Sequence, residues 1–162
     1  MSRPVRTARE VVDALLHAIV HAPDQIAELY APQVVIELPF GPPLIPARRE
    51  TGREELRAQI KEGATQRTYT AVENVTIHDT SDPDVVIAEY EIHGHTLADG
   101  REFVLPFLMI ITVEDGLIVN SRDYNSPVVS ARALGRVPEL VAALTADRLS
   151  VAQQSMDLRD AP

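Results

Sequence analysis

The sequence predicts an α+β fold in which a curved antiparallel sheet wraps around helices. Three observations predict it. Segments of helical period dominate the chain before residue 64, and strand-like segments fill the stretch from Thr68 to Tyr124. Two Asp-Gly pairs, Asp99-Gly100 and Asp115-Gly116, punctuate that second stretch where hairpins would turn. Between them runs Arg101 to Val113, apolar on both alternating faces, and a strand greasy on both sides needs two covers. One cover would be the domain's own helices and the other a second subunit. The 162 residues suit one domain with a real core, assigned to residues 1–150, followed by a flexible tail over 151–162.

The first helix spans Thr7 to Val20, with Val11, Val12, Leu15, Leu16, Ile19 and Val20 along one side, and Thr7 with Glu10 matches a capping box. His21-Ala22-Pro23-Asp24 breaks it, and a short second helix runs from Gln25 to Tyr30. Gln33 to Leu38 reads as a strand. Pro39 to Pro46 holds four prolines, which removes four donors and leaves an apolar irregular loop suited to a pocket mouth. Thr51, with Glu54 at capping-box spacing, caps a third helix from Gly52 to Gly63. Thr68 to His78 and Val85 to Leu97 are strands separated by the turn Ser81-Asp82-Pro83-Asp84. The doubly apolar strand and a last strand ending at Tyr124 complete a four-stranded meander. Ser126-Pro127 opens a helical stretch that Gly135 stops after Leu134, and Pro138 to Leu149 reads as a further helix.

Composition removes several classes of function. There is no cysteine, so disulfides, thiolate catalysis and thiolate metal sites are excluded. The formal charge of -9 argues against nucleic acid, because phosphate binding needs a basic face. No run approaches the roughly 20 apolar residues of a membrane span. The three arginines of Met1 to Arg9 have no apolar run behind them, so no secretory signal is read and a cytoplasmic protein is expected.

The candidate for chemistry is Asp123, an acid delivered to the end of an otherwise apolar hairpin. Aspartate is depleted from strands, and a buried one must be hydrogen-bonded or keep its proton. Desolvation would raise its pKa towards the range useful for general acid–base work. The bland alternative pairs it with Arg122 or another arginine, or leaves it exposed. Glu89, Glu91, His93 and His95 share one face of a strand, a spacing that could hold a metal. Ala88, Tyr90 and Ile92 would face the core, however, so these four point outward and no metal is assigned. A bulge at Gly94 would bring His95 inside as an acid–base partner for Asp123. Arg48-Arg49 reads as a solvated loop pair, with a carboxylate clamp as the alternative. Asn125 shares the face of Asp123 and could hydrogen-bond a ligand carbonyl.

Leu29-Tyr30-Ala31-Pro32-Gln33-Val34-Val35 before the first strand, and Gly52-Arg53-Glu54-Glu55-Leu56 on the third helix, resemble the SnoaL-like group of the nuclear-transport-factor-2-like superfamily, which includes ketosteroid isomerase. Within it, Asp79-Thr80-Ser81-Asp82-Pro83, Asn120 to Asn125 and Arg132-Ala133-Leu134-Gly135 look most like the phenazine-biosynthesis A/B proteins. The resemblance implies a cone in which the sheet and three N-terminal helices enclose an apolar cavity, and a homodimer paired through the sheet's outer face. It implies a proton-transfer role for Asp123, in the place of a glutamate of the phenazine proteins. A small apolar ligand would then meet Tyr30, Phe40, Gln59, Tyr90, Phe107 and Asn125. Gln59 stands where the phenazine proteins carry a histidine. Leu38 stands where ketosteroid isomerases carry their base, and Phe107-Leu108 where they carry an oxyanion-hole acid. The expected activity is an isomerisation, cyclisation, condensation or dehydration of a cyclic or polyketide-like metabolite, with no cofactor. A binding protein or a dimeric accessory subunit is the alternative.

Overall fold

A computed structural model of the chain describes residues 5–42 and 45–146. The expected tail over 151–162, and the end of the last helix at Leu149, lie outside the described residues. The first helix, α1 (Ala8–His21), forms where its apolar spacing requires. Its capping box is complete. The Thr7 hydroxyl accepts from the Glu10 amide at 3.3 Å, and the Glu10 carboxylate accepts from the Thr7 amide at 2.8 Å. The second helix is a 3-10 helix, Pro23–Leu29, with Pro23 at its start and no side-chain cap. Tyr30 therefore begins β1 (Tyr30–Glu37) instead of closing a helix.

The charged run Arg48-Arg49-Glu50-Thr51-Gly52 is a strand, β2 (Arg48–Gly52), paired antiparallel to β1. Its sequence has no apolar alternation, as befits a short edge strand protected by charge. Thr51 lies inside β2, and Gly52 occupies the N-cap of α2 (Arg53–Gly63), which has no side-chain cap. The capping box expected at Thr51 is thus absent.

The meander follows as β3 (Arg67–Asp79), β4 (Val85–Thr96), β5 (Glu102–Glu114) and β6 (Leu117–Asn125). Asp115 and Gly116 both adopt positive φ, 50° and 75°, and close a two-residue hairpin between Glu114 and Leu117. At the other Asp-Gly pair only Gly100 is left-handed. Asp99 instead turns its carboxylate onto the Thr96 hydroxyl and the Arg101 amide. That loop is therefore longer than a two-residue turn.

The six strands form one curved sheet in the order β2-β1-β6-β5-β4-β3. Every neighbouring pair is antiparallel except β1 and β6, which run parallel because the whole meander separates them in sequence. Helix α1 packs across the concave face, burying Val11, Val12, Leu15, Leu16 and Ile19 against Ala88, Ile92, Leu105, Ile111 and Ile118. Each fully buried aliphatic side chain of this kind contributes about 1.5–3 kcal/mol. Pro106 is tolerated within β5 because it falls one residue beyond Phe107, the last residue that β6 pairs. Helix α3 (Pro127–Ala133) is capped by the Ser126 hydroxyl and stopped by Gly135 at φ 68°. A helix over 137–146 ends the described part.

Candidate functional site

Alternation along β6 puts Asn120, Arg122 and Tyr124 on the outer face, and Ser121, Asp123 and Asn125 on the inner one. Three cross-strand rows then build the inner face. Arg49, Ile36, Ser121 and Ile111 align across β2, β1, β6 and β5. Asp123, Met109 and Ala88 form the next row, and Asn125, Phe107 and Tyr90 the third. Adjacent rows lie about 7 Å apart, the spacing of alternate strand residues.

Asp123 is half-buried but ringed by protein. Its carboxylate accepts from the Ser121 hydroxyl. Burial pushes its pKa up, opposed by the Ser121 hydrogen bond and by the positive charge of Arg49. The neighbouring phenols register that carboxylate. Burial first, and the Asp123 charge second, push the hydroxyls of Tyr30 and Tyr90 well above the ordinary tyrosine range. The Tyr90 hydroxyl donates to the Met109 sulfur at 2.7 Å, a weak acceptor that a ligand oxygen could replace. Tyr90 and Phe107 stack with centroids 5.5 Å apart.

Gln59, on α2, is tied to this face through Arg49. The Arg49 Nη2 donates to the Gln59 Oε1 at 3.1 Å, and the Gln59 amide donates to Glu55. Arg49 is the residue that the sequence hides, since a short charged edge strand reads as loop and its pair of arginines as solvated. The alternation Arg48, Arg49, Glu50, Thr51 would have marked Arg49 and Thr51 as one face, had the strand been recognised.

Two predicted site residues lie elsewhere. His95 remains on the outer face, because β4 pairs with β5 without interruption through Gly94 and Phe103 to His95 and Glu102. Gly94 is no bulge of β4. Its missing Cβ makes room for the Phe103 ring and the Thr68 carbonyl, which a Cβ would meet at 2.9 Å and 2.3 Å. Phe40 is 64% exposed and packs edge-on against Tyr124 on the outer side. The strand carboxylates and histidines also face outward, where His78 pairs with Glu89 at 2.7 Å, and His93 lies 3.6 Å from Glu73. Among the described residues no three His, Asp or Glu side chains converge as a metal cluster.

An open hollow of about 380 Å³ is lined by Leu38, Asn125, Ala131, Leu134 and Leu140. Asn125 is the inner-face residue it shares with the site; Asp123 and Tyr90 do not line it. Among the described residues no helix is long and apolar enough to cross a membrane.

The sequence profile of the SnoaL-like domain matches residues 8–121, over half of the chain. The chain belongs to the SnoaL-like family. A PhzA/B-like protein of Pseudomonas aeruginosa, itself uncharacterized, is 30% identical to this SnoaL-like chain over 110 residues, 68% of this chain and 77% of that protein. A provisionally named isomerase from Bacillus subtilis superposes with a TM-score of 0.72 at 28% identity, covering 80% of this chain and 93% of that one. A provisionally named polyketide cyclase from Pseudomonas putida gives a TM-score of 0.66 at 20% identity over 79% and 98% of the two chains, a likeness of fold. The profile match ends at Ser121, two residues before Asp123. Family membership therefore fixes the scaffold and leaves the role of the carboxyl to the chemistry of its surroundings.

Proposed function

We propose that this SnoaL-like chain is a cofactor-independent enzyme in which Asp123 transfers a proton on a small apolar cyclic or polyketide-like metabolite. The reaction class is isomerisation, cyclisation, condensation or dehydration. One observation carries the reading: an inner-face carboxyl whose pKa is raised by burial, with Ser121, Tyr30 and Tyr90 as its neighbours. A carboxyl shifted in that direction holds its proton nearer to neutral pH, which suits a group that must both give and take one. The phenols are far from ionising and serve as hydrogen-bond donors to a substrate oxygen. Stacked Phe107 and Tyr90 offer an apolar wall for a ring. Asn125 extends the same face towards the open hollow, where a ligand would enter.

The test reads proton transfer directly. Cyclic ketones and β-diketones are incubated with the protein in deuterium oxide, and exchange at the carbon beside the carbonyl is followed by NMR. Asp123→Asn should fold normally and slow the exchange by about a hundredfold or more. An unchanged exchange rate in that variant would sink the proposal. A second reading, that of a binding protein, draws on the hollow, which lies next to Asn125 and away from Asp123. A ligand held tightly and recovered chemically unaltered would favour it. In either case a second copy is proposed to cover the outer face of the sheet.

A further inference from the structure

Strand β2 sorts its side chains sharply. Arg48 and Glu50 face outward and lie 3.9 Å apart as an exposed pair. Arg49 and Thr51 face inward, beside Ile36 and Val34 of β1. The other cations of this region have acidic partners, Arg53 with Glu28, and Arg57 with both Glu28 and Glu54. Arg49 differs. Among the described residues it forms no salt bridge, and its one side-chain partner is the neutral Gln59. Its Nε is shielded from solvent and donates to nothing.

Thr51 presents the same anomaly one step along the strand. The residue is 2% exposed, and among the described residues its hydroxyl has no hydrogen-bond partner. It does not cap α2, the task its sequence position suggests. A buried donor without an acceptor has given up water for nothing, and native proteins rarely keep two of them side by side. Two residues apart on one strand, these side chains can converge on a single group. An arginine fork and a hydroxyl together match a carboxylate, which accepts from both.

We infer that Arg49 and Thr51 form a carboxylate-binding subsite on the inner face, so that the ligand of this chain is an organic acid. The inference deepens the proton-transfer reading and rests on the inner face being the ligand site. The carboxylate sits on β2, at the end of the Arg49–Ile36–Ser121 row. The apolar body then lies over Met109 and Phe107, with a reacting carbon presented to Asp123.

Formate is the probe, because it carries the carboxylate alone and enters a site of any shape. The Nε–H signals of the arginines in the full chain are followed by NMR during titration with formate, and Arg49→Lys identifies the Arg49 signal by removing it. The Arg49 signal should shift saturably with formate and not with formamide. Thr51→Val should weaken the formate affinity by about tenfold, the loss of one charge-assisted hydrogen bond. Thr51→Ser, which keeps the hydroxyl, should bind as the parent does and guards against a folding defect. A linear shift shared by all arginines, or an equal response to formamide, overturns the subsite. An unchanged affinity in Thr51→Val overturns the pairing. The readout needs no turnover, and Asp123→Asn should retain formate binding. Unchanged deuterium exchange in Asp123→Asn, with saturable formate binding at Arg49 intact, would therefore refute the proton-transfer role alone. Exchange lost in Asp123→Asn without saturable formate binding in the parent would refute the subsite alone.

Discussion

At the scale of the residue, Asp123 couples the proposed chemistry to stability. Its folded pKa is raised above the ordinary carboxyl value of 3.8, with burial as the largest cause. The native state therefore keeps this proton at pH values where the unfolded chain has released it. Over that window the unfolded chain binds fewer protons, so stability falls as pH rises from the ordinary value through the folded one. Asp123→Asn has no charge to bury and should escape this loss. Thermal melts of both proteins between about pH 4 and pH 8 should show the variant gaining on the parent with pH and then levelling off. The difference curve matters more than either profile. Glu10, Glu54 and Asp99 have lowered pKa values, through hydrogen bonds to Thr7, Arg57 and Thr96 first of all, and act in the opposite direction in both proteins. A difference that does not change with pH would mean that Asp123 titrates alike in the two states.

At the scale of the element, two side chains report how closely local geometry is fixed. The Cβ of Gly94→Ala would stand 2.3 Å from the Thr68 carbonyl and 2.9 Å from the Phe103 ring. Backbone cannot retreat as a side-chain tip can, so the β3–β4 ladder must part there. The expected loss is about 1–3 kcal/mol, measured by denaturant unfolding. Thr7→Ala should cost about 1 kcal/mol by opening the capping box of α1. Equal stability of Thr7→Ala and the parent would show that α1 is held by its packed face alone. These two sites also show what the sequence could and could not reveal. The Thr7–Glu10 spacing and the apolar stripe of α1 are local signals, and Asp115-Gly116 names its own turn. A strand glycine marks either a bulge or a close approach, and at Gly94 only the partner strands decide between them. Placing His95 inside rested on the wrong one. Strand β2 was invisible for a different reason: a five-residue charged edge has no apolar period to read. With β2 missed, the inward turn of Arg49 and Thr51 was missed too, although Asp123 and Asn125 were placed correctly on one face of β6. Phe40 sits in an irregular loop, where no periodicity assigns a side.

At the scale of the whole molecule, the outer face of the sheet remains to be explained. Its inner face packs against α1 along β3, β4 and β5, yet β5 is apolar on both sides, with Val104, Leu108 and Ile110 turned outward. Val104 is 43% exposed, and the half-buried Leu108 lies near Phe40 and Tyr124. Around them stand polar pairs, Glu37 with Arg122 and His78 with Glu89. An apolar centre with a polar rim is the pattern of an interface, and it is the face on which the proposed second copy would sit. The consequence can be stated in mass. At micromolar concentration, light scattering should give about twice the 17.8 kDa of the chain. Val104→Lys puts a flexible cation at an exposed position, which in a lone chain should alter stability by no more than about 0.5 kcal/mol. In a dimer the same lysine would have to leave water at the centre of the contact, so the mass should fall to that of one chain. The circular dichroism spectrum should be unchanged, because the inner face and α1 are untouched. A parent that already runs at the mass of one chain would remove the second copy from the proposal. The inner-face chemistry would stand, since Arg49, Ser121, Asp123 and Tyr90 all come from a single chain.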